Sequence, residues 1–323
     1  MSLSIEEVGA RAGEVLDAVE QVVVGKRDVL TLVMTGLLAN GHVLIEDVPG
    51  VAKTMIARTL AQATGLAFSR IQFTPDMLPS DVTGSTVLQP DRSLEFRAGP
   101  IFANVVLGDE INRTPPKTQA ALLEAMAERQ VTIDGVTHRL EPPFVVLATQ
   151  NPIDYEGTYA LPEAQLDRFL LRVSVGYPTR DDEWSVLDRR QRRRSDDVRV
   201  EPVTDRDGVL AMQEAIEQVQ VSAAVGHYIV DIVDATRRHS GVELGASPRG
   251  SLAMLLTARA RAALSGRDFV TPEDVKAVAV PALYHRISLR PELWVQGAHV
   301  DQVVRECVDA VPVPVADVAD RNE

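Results

Sequence analysis

The chain has 323 residues and a formal net charge of −13, and at roughly 100–200 residues per domain its length points to two domains. Apolar residues at 45% and charged residues at 24% exclude wholesale disorder. The single cysteine, Cys307, excludes an internal disulfide framework and a cysteine-cluster zinc site, and six dispersed histidines without HExxH-type spacing argue against a histidine-built one.

No apolar run approaches the about 18 residues that would cross a bilayer. The acidic start, Met1 to Glu7, lacks the basic-then-apolar order of a secretion signal. Together these predict a cytoplasmic protein without membrane insertion. Residues 1–178 carry 22 acids and 14 bases (−8), and 179–323 carry 24 acids and 19 bases (−5). Neither half is a basic body, so nucleic acid is not the expected partner.

The first 178 residues alternate short apolar runs with helical patterns, as a parallel α/β sheet requires. Strands are predicted at His42–Asp47, Phe68–Phe73, Asn104–Gly108, Phe144–Thr149 and Phe169–Val175. Such runs suit strands covered by helices on both faces. Two hairpins interrupt them. A longer loop turns the run from Thr86 to Phe96, and Asp134-Gly135 turns Val131–His138, a dipeptide that tolerates the positive φ of a two-residue turn. The basic run Arg189–Arg194, flanked by acids, reads as a solvated helix of mixed charge.

Beyond Pro178 the pattern is helical only. Ser222 can cap a helix whose apolar face is Val225, Ile229, Ile232 and Val233. Ser247-Pro248 and Thr271-Pro272-Glu273-Asp274 repeat the same starting device, with proline where no N–H is needed. The expected division is an α/β domain over 1–178, a linker over 179–200, a helical domain over 201–310 and a tail over 311–323.

After the first predicted strand comes Asp47-Val48-Pro49-Gly50-Val51-Ala52-Lys53-Thr54-Met55. It follows the phosphate-loop pattern G-x-x-x-x-G-K-[ST], with Asp47 and Ala52 in place of the glycines. Such a loop presents backbone N–H groups to phosphate oxygens at a helix N-terminus. Lys53 adds a point charge on the outer phosphates, and the Thr54 hydroxyl reaches Mg²⁺. Downstream, Val105–Gly108 ends in Asp109-Glu110, an acid placed for Mg²⁺ and a second placed to polarise water. Asn151, past a third strand, can orient that water. Loop and acids together predict nucleotide hydrolysis.

The run Asp109-Glu110-Ile111-Asn112-Arg113-Thr114-Pro115-Pro116-Lys117-Thr118-Gln119, continuing to Met126, resembles the MoxR family of AAA+ ATPases. So do Glu128–Gly135, Ala148–Pro152, Leu161–Phe169 and Ala246-Ser247-Pro248-Arg249, and the likeness covers about residues 18–290. The resemblance implies an AAA+ core with a five-stranded parallel sheet, hairpin insertions and a small all-α lid. It makes Lys53 and Thr54 the Walker A pair and Asp109 and Glu110 Walker B. Asn151 matches sensor 1, Arg168 the arginine finger that reaches a neighbouring subunit's nucleotide, and Arg249 the sensor 2 with which the lid feels the γ-phosphate. Val24 and Gly25, ahead of the first helix, match the segment that meets adenine.

The Asp47 carboxylate is harmless to phosphate only if turned away, and Ala52 adds a methyl where backbone approaches closely. Arg113 reads either as a local ion-pair partner or as a contact to an adjacent subunit's nucleotide. The family implies a ring, expected as a hexamer, acting in a chaperone-like way on von Willebrand factor A domain partners. The alternatives are a nucleic-acid motor and an ATP-regulated scaffold with little turnover.

Overall fold

The computed structural model describes residues 3–48, 50–151, 158–195, 198–295 and 297–314. Helices α1 (Ile5–Glu20) and α2 (Arg27–Leu38) precede strand β1 (Val43–Glu46) and helix α3 (Lys53–Ala63). The first helix lies well before Val24, against the expectation that Val24-Gly25 sits ahead of any helix. Its apolar face (Val8, Ala12, Val15, Leu16, Val19) and its Ser4–Glu7 capping box explain why it forms.

Strand β2 (Phe68–Gln72) and helix α4 (Pro79–Thr83) lead into the hairpin β3 (Gly84–Leu88) and β4 (Leu94–Ala98). Strand β5 (Val105–Asp109) and helix α5 (Pro116–Glu128) lead into the hairpin β6 (Gln130–Ile133) and β7 (Val136–Arg139). Asp134 and Gly135 both take positive φ in that turn, as its sequence predicts. Strand β8 (Val145–Gln150), helix α6 (Glu163–Leu166) and strand β9 (Leu171–Val173) complete the domain.

The sheet has the order β2-β5-β8-β1-β9 with every neighbouring pair parallel. All five predicted strands are in it, most shortened or shifted by a residue or two. Leu44, Ile71, Val106 and Val146 face one core with Leu122 and Met126 of α5. Val43, Ile45, Val105, Leu107, Leu147 and Leu171 face the other, against α1, α2 and α3.

The second core runs on without a break into the C-terminal helices. It reaches α8 (Arg206–Ile216), α9 (Ala223–Arg238), α10 (Pro248–Leu264), α11 (Pro272–Leu283) and α13 (Val300–Ala310), and the same part of the chain holds α7 (Arg180–Arg193) and α12 (Pro291–Val295) outside that core. Ser222, Ser247 and Thr271 cap α9, α10 and α11 through their side chains. The lid is not purely helical: β10 (Val242–Leu244) pairs antiparallel with β11 (Ser288–Leu289), tying the exit of α9 to the exit of α11. Helix α7, within 179–200, buries no side chain, and Arg189 donates to the Glu20 and Gln21 carbonyls at the end of α1. Among the described residues no helix is long and apolar enough to cross a membrane.

Candidate active site

The sheet register assembles the site. Leu44 and Gly108 both stand level with Ala148, so Asp109 and Glu110 reach the same edge as Glu46 and Gln150. The phosphate loop leaves β1 there, and β8, which carries Asn151, lies between it and the acids. Three motifs distant in sequence thus meet at the carboxyl ends of three adjacent strands.

In the loop, Val48 is half-buried and Val51 buried, and Pro49 lies outside the described residues. Gly50 takes φ +87° with open space where a side chain would stand, the form of a backbone cradle. Ala52 takes φ +62°, left-handed and exposed, as the N-cap of α3. Lys53, Thr54 and the exposed Met55 form the first turn, so the helix N-terminus faces the cradle. The Lys53 Nζ donates to the Asp47 carbonyl at 2.7 Å. Burial lowers the Lys53 pKa, against the pull of Asp47, Asp109, Glu110 and Glu46.

The Asp47 carboxylate reaches across to residues 174–176 and back to the first N–H of the loop. Its Oδ2 accepts from Ser174 Oγ at 2.9 Å, Val175 N at 2.6 Å and Gly176 N at 2.5 Å. Its Oδ1 accepts from Val48 N at 2.7 Å. Burial raises its pKa, but the hydrogen bonds led by Gly176 N–H outweigh this and hold it below the usual range. Four donors thus compensate the Asp47 charge, which still acts on Lys53.

Asp109 is buried and Glu110 half-buried. Thr149 Oγ1 donates to Asp109 Oδ1 at 2.6 Å and accepts from Glu110 N at 2.8 Å, so one hydroxyl spaces both acids. Glu110 itself takes φ +58°, a conformation in which non-glycine residues concentrate at functional sites. Arg70 contacts Asp109 at 2.7 Å, Gln72 donates to Glu110 at 2.9 Å, and Arg113 pairs with Glu110 at 3.1 Å. Arg113 is thus an ion-pair partner of Glu110 within its own chain. Asn151 is buried, and its carbonyl accepts from Asn112 Nδ2 at 3.3 Å.

Arg70, Gln72 and Thr149 were missed from sequence. The signal for the first two was the polar Ser69-Arg70 and Gln72 inside an otherwise apolar strand.

Among the described residues no three His, Cys, Asp or Glu side chains gather. Thr54 and Asp109 suit a cation that takes few protein ligands and shares phosphate oxygens, as Mg²⁺ does with nucleotides.

Arg168 and Arg249 lie elsewhere. Arg168 is exposed and precedes β9, whose Leu171 pairs with Val43 at the amino end of β1. Arg249, in the first turn of α10, approaches the Asp167 carboxylate at 3.7 Å, and Arg286 holds the same acid at 2.8 Å. Both arginines line an open cleft of about 320 Å³ with Asn40, Gly41 and His42. From His42 to Asp47 the extended chain covers about 17 Å. Arg249 therefore stands beside Arg168, at the far end of the strand from its own phosphate loop, and not over that loop as a cis sensor requires.

Val24 and Gly25 fall in the α1–α2 loop, Gly25 exposed with φ +68°. A Cβ on Gly25 would meet the Asp182 carboxylate at 2.2 Å, so that side chain would have to turn aside, and the positive φ already favours glycine. The adjoining Lys26 Nζ donates to the Val175 and Tyr177 carbonyls at 2.8 Å each.

Residues 42–171 match the sequence pattern of the ATPase family associated with various cellular activities (AAA), and 234–307 that of the AAA lid domain. YeaC of Bacillus subtilis is 49% identical over 96% of this chain and 97% of its own. Chaperone MoxR1 of Mycobacterium tuberculosis is 40% identical over 92% of this chain and 80% of its own. The 2.00 Å crystal structure of a Cytophaga hutchinsonii protein assigned as an ATPase superposes with a TM-score of 0.89 at 39% identity, covering 95% and 96% of the two chains. With the phosphate loop, the paired acids and the lid in the order the family requires, the chain belongs to the MoxR family of AAA+ ATPases.

Proposed function

We propose that the chain hydrolyses ATP with Mg²⁺ inside a closed ring, read as a hexamer, and acts in a chaperone-like way on cytoplasmic von Willebrand factor A domain proteins. The observation that carries the reading is the division between the two ends of the sheet. Lys53, Asp109, Glu110 and Asn151 occupy the carboxyl end of the strands, and Arg168 and Arg249 the amino end. The kinship with a protein named Chaperone MoxR1 supports the remodelling role.

In this reading Val24 and Gly25 meet the base and residues 48–55 line the triphosphate. Thr54 and Asp109 hold Mg²⁺, which when bound neutralises phosphate charge. Glu110 polarises the attacking water and Asn151 orients it. Arg168 and Arg249 reach a neighbour's nucleotide, where a finger supplied in trans is worth about 10³–10⁵ in rate.

The acidic charge of both halves and hairpin tips at Pro90-Asp91-Arg92 and Asp134-Gly135 speak against a nucleic-acid motor.

The test separates binding from turnover. Lys53→Ala is expected to abolish ATP binding, because Lys53 acts on ground-state phosphate charge. Glu110→Gln is expected to keep binding and lose turnover, because Glu110 acts only on the water. Equal loss of affinity in both variants sinks the assignment. The binding-competent Glu110→Gln protein then serves as the trap with which a purified von Willebrand factor A domain is retained. Failure to retain it in the presence of ATP removes that partner class.

A further inference from the structure

Asp47 serves two segments at once. Its backbone carbonyl receives Lys53 Nζ, and its carboxylate receives the N–H groups of Val175 and Gly176 and the Ser174 hydroxyl. The same short segment is gripped from the other side by Lys26, whose Nζ takes the carbonyls of Val175 and Tyr177. Four backbone polar groups within three residues are therefore held by two charged side chains. One belongs to the phosphate loop, and the other adjoins the Val24-Gly25 segment.

Immediately beyond, Thr179 caps α7, the helix that leads towards the lid, and Asp182 of that helix lies against Gly25. Hydrogen bonds to ionised groups are about twice as strong as neutral ones, and backbone groups cannot swing aside as side chains do.

We infer that Asp47 is a positioning residue that couples the phosphate loop to the start of α7, so that nucleotide binding moves the lid linker. The inference rests on the ATP reading, in which Lys53 leaves the Asp47 carbonyl for the phosphates. Residue 47 is then released on its backbone side while its side chain stays bonded to 174–176. A glycine at this position, as the ordinary loop pattern has, would keep the phosphate cradle and lose the coupling.

The reporter is Trp184, exposed on the second turn of α7 and one of two tryptophans in the chain. In a Trp294→Phe background, with Lys53 and Glu110 intact, Trp184 emission is recorded as ATP and Mg²⁺ are added, and ATP affinity is measured separately by equilibrium dialysis. The parent should bind ATP and change its Trp184 emission on saturation. Asp47→Asn has one acceptor oxygen, so its amide N–H₂ must oppose either Val48 N–H or the Val175 and Gly176 pair. It should weaken ATP by about tenfold, and at saturating ATP the Trp184 change should fall to about a fifth or less. Asp47→Gly should lose the emission change as well. Lys26→Gln, which spares the phosphate loop, should reduce it too and decides the matter if the Asp47 variants do not fold.

A merely structural Asp47 would lower thermal stability and leave the saturated Trp184 change intact, and that result overturns the inference. A parent that binds ATP with no Trp184 change overturns it equally. A parent that fails to bind ATP removes the ATP reading itself, which distinguishes the two failures.

Discussion

The Arg70 guanidinium holds the Asp109 carboxylate at 2.7 Å, placing a resident cation on the acid assigned to Mg²⁺. Gln72, two residues along the same strand, accepts from Arg70 at 2.6 Å and donates to Glu110 at 2.9 Å. Both acids are thus engaged by β2, and the Arg70 charge competes with any cation for the Asp109 carboxylate.

Arg70→Ala should therefore lower the Mg²⁺ concentration needed for half-maximal ATP binding. The Arg70 side chain is 46% exposed and solvent screens the pair, so the gain is at most about fivefold, the worth of ~1 kcal/mol. The measurement is a Mg²⁺ titration of ATP binding to the hydrolysis-deficient Glu110→Gln protein with and without the change. An unchanged or raised Mg²⁺ requirement contradicts the competition.

Ala52 carries a left-handed backbone at φ +62° that a Cβ disfavours. Ala52→Gly should raise unfolding free energy by roughly 1 kcal/mol, the relief of αL strain less the extra chain entropy of glycine. Urea unfolding midpoints of the two proteins check this. A fall in stability would show that the loop does not hold Ala52 in that conformation.

Two histidines predict an acid-side weakness. Burial, with repulsion from Arg129, pushes His42 from 6.5 down to about 3, against the opposing Met126 carbonyl. Burial likewise carries His285 well below 6.5, with Arg286 adding repulsion. As pH falls below 6.5 the unfolded chain takes up protons that the folded chain refuses, so stability is lost on the way down towards 3. Inside that window His42 contributes up to about 1.4 kcal/mol per pH unit, and His285 acts in the same direction. His42→Asn keeps an acceptor for Val146 N–H, which now reaches His42 Nδ1 at 3.0 Å. It should reduce the loss between about pH 6.5 and pH 5.5 by about 1 kcal/mol in urea unfolding. An unaltered pH slope would mean that His42 is not the neutral buried group described.

Placement of Arg168 and Arg249 away from their own phosphate loop predicts that hydrolysis per chain rises with protein concentration. Arg168→Ala and Arg249→Ala should each bind ATP and turn it over slowly, and mixing Arg168→Ala with Lys53→Ala subunits should restore part of the turnover, because the intact phosphate loop of the first then meets the intact finger of the second. Specific activity across a dilution series, read beside light scattering, checks this. A demonstrably monomeric sample with undiminished turnover per chain rules the arrangement out.

The sheet was legible because each strand is a short apolar run bounded by turn residues, and its phosphate loop and acids are contiguous motifs. Strand ends were less so. Phe169–Val175 pairs only over Leu171–Val173, against Val43–Ile45 of β1, because the Asp47 carboxylate takes up Ser174, Val175 and Gly176 beyond that point. The contacts around the acids were hidden because they arise from register. Gln72 faces Asp109 only after β2 and β5 pair, and no local spacing announces that. The lid's approach to Asp167 spans 80 residues of chain and depends on α10 packing against α1 and α2. Sequence placed Arg249 correctly at a helix start and could not say which end of the sheet that start would face.

The length of one strand has a bearing on when ATP can be spent. A newly made chain already carries a finished cradle, yet the arginines that would complete it point to the opposite pole of the molecule. Under the proposed chemistry such a chain can hold fuel without burning it, guarded by distance alone. Ignition then waits for a neighbour, and no separate inhibitor has to be made or removed.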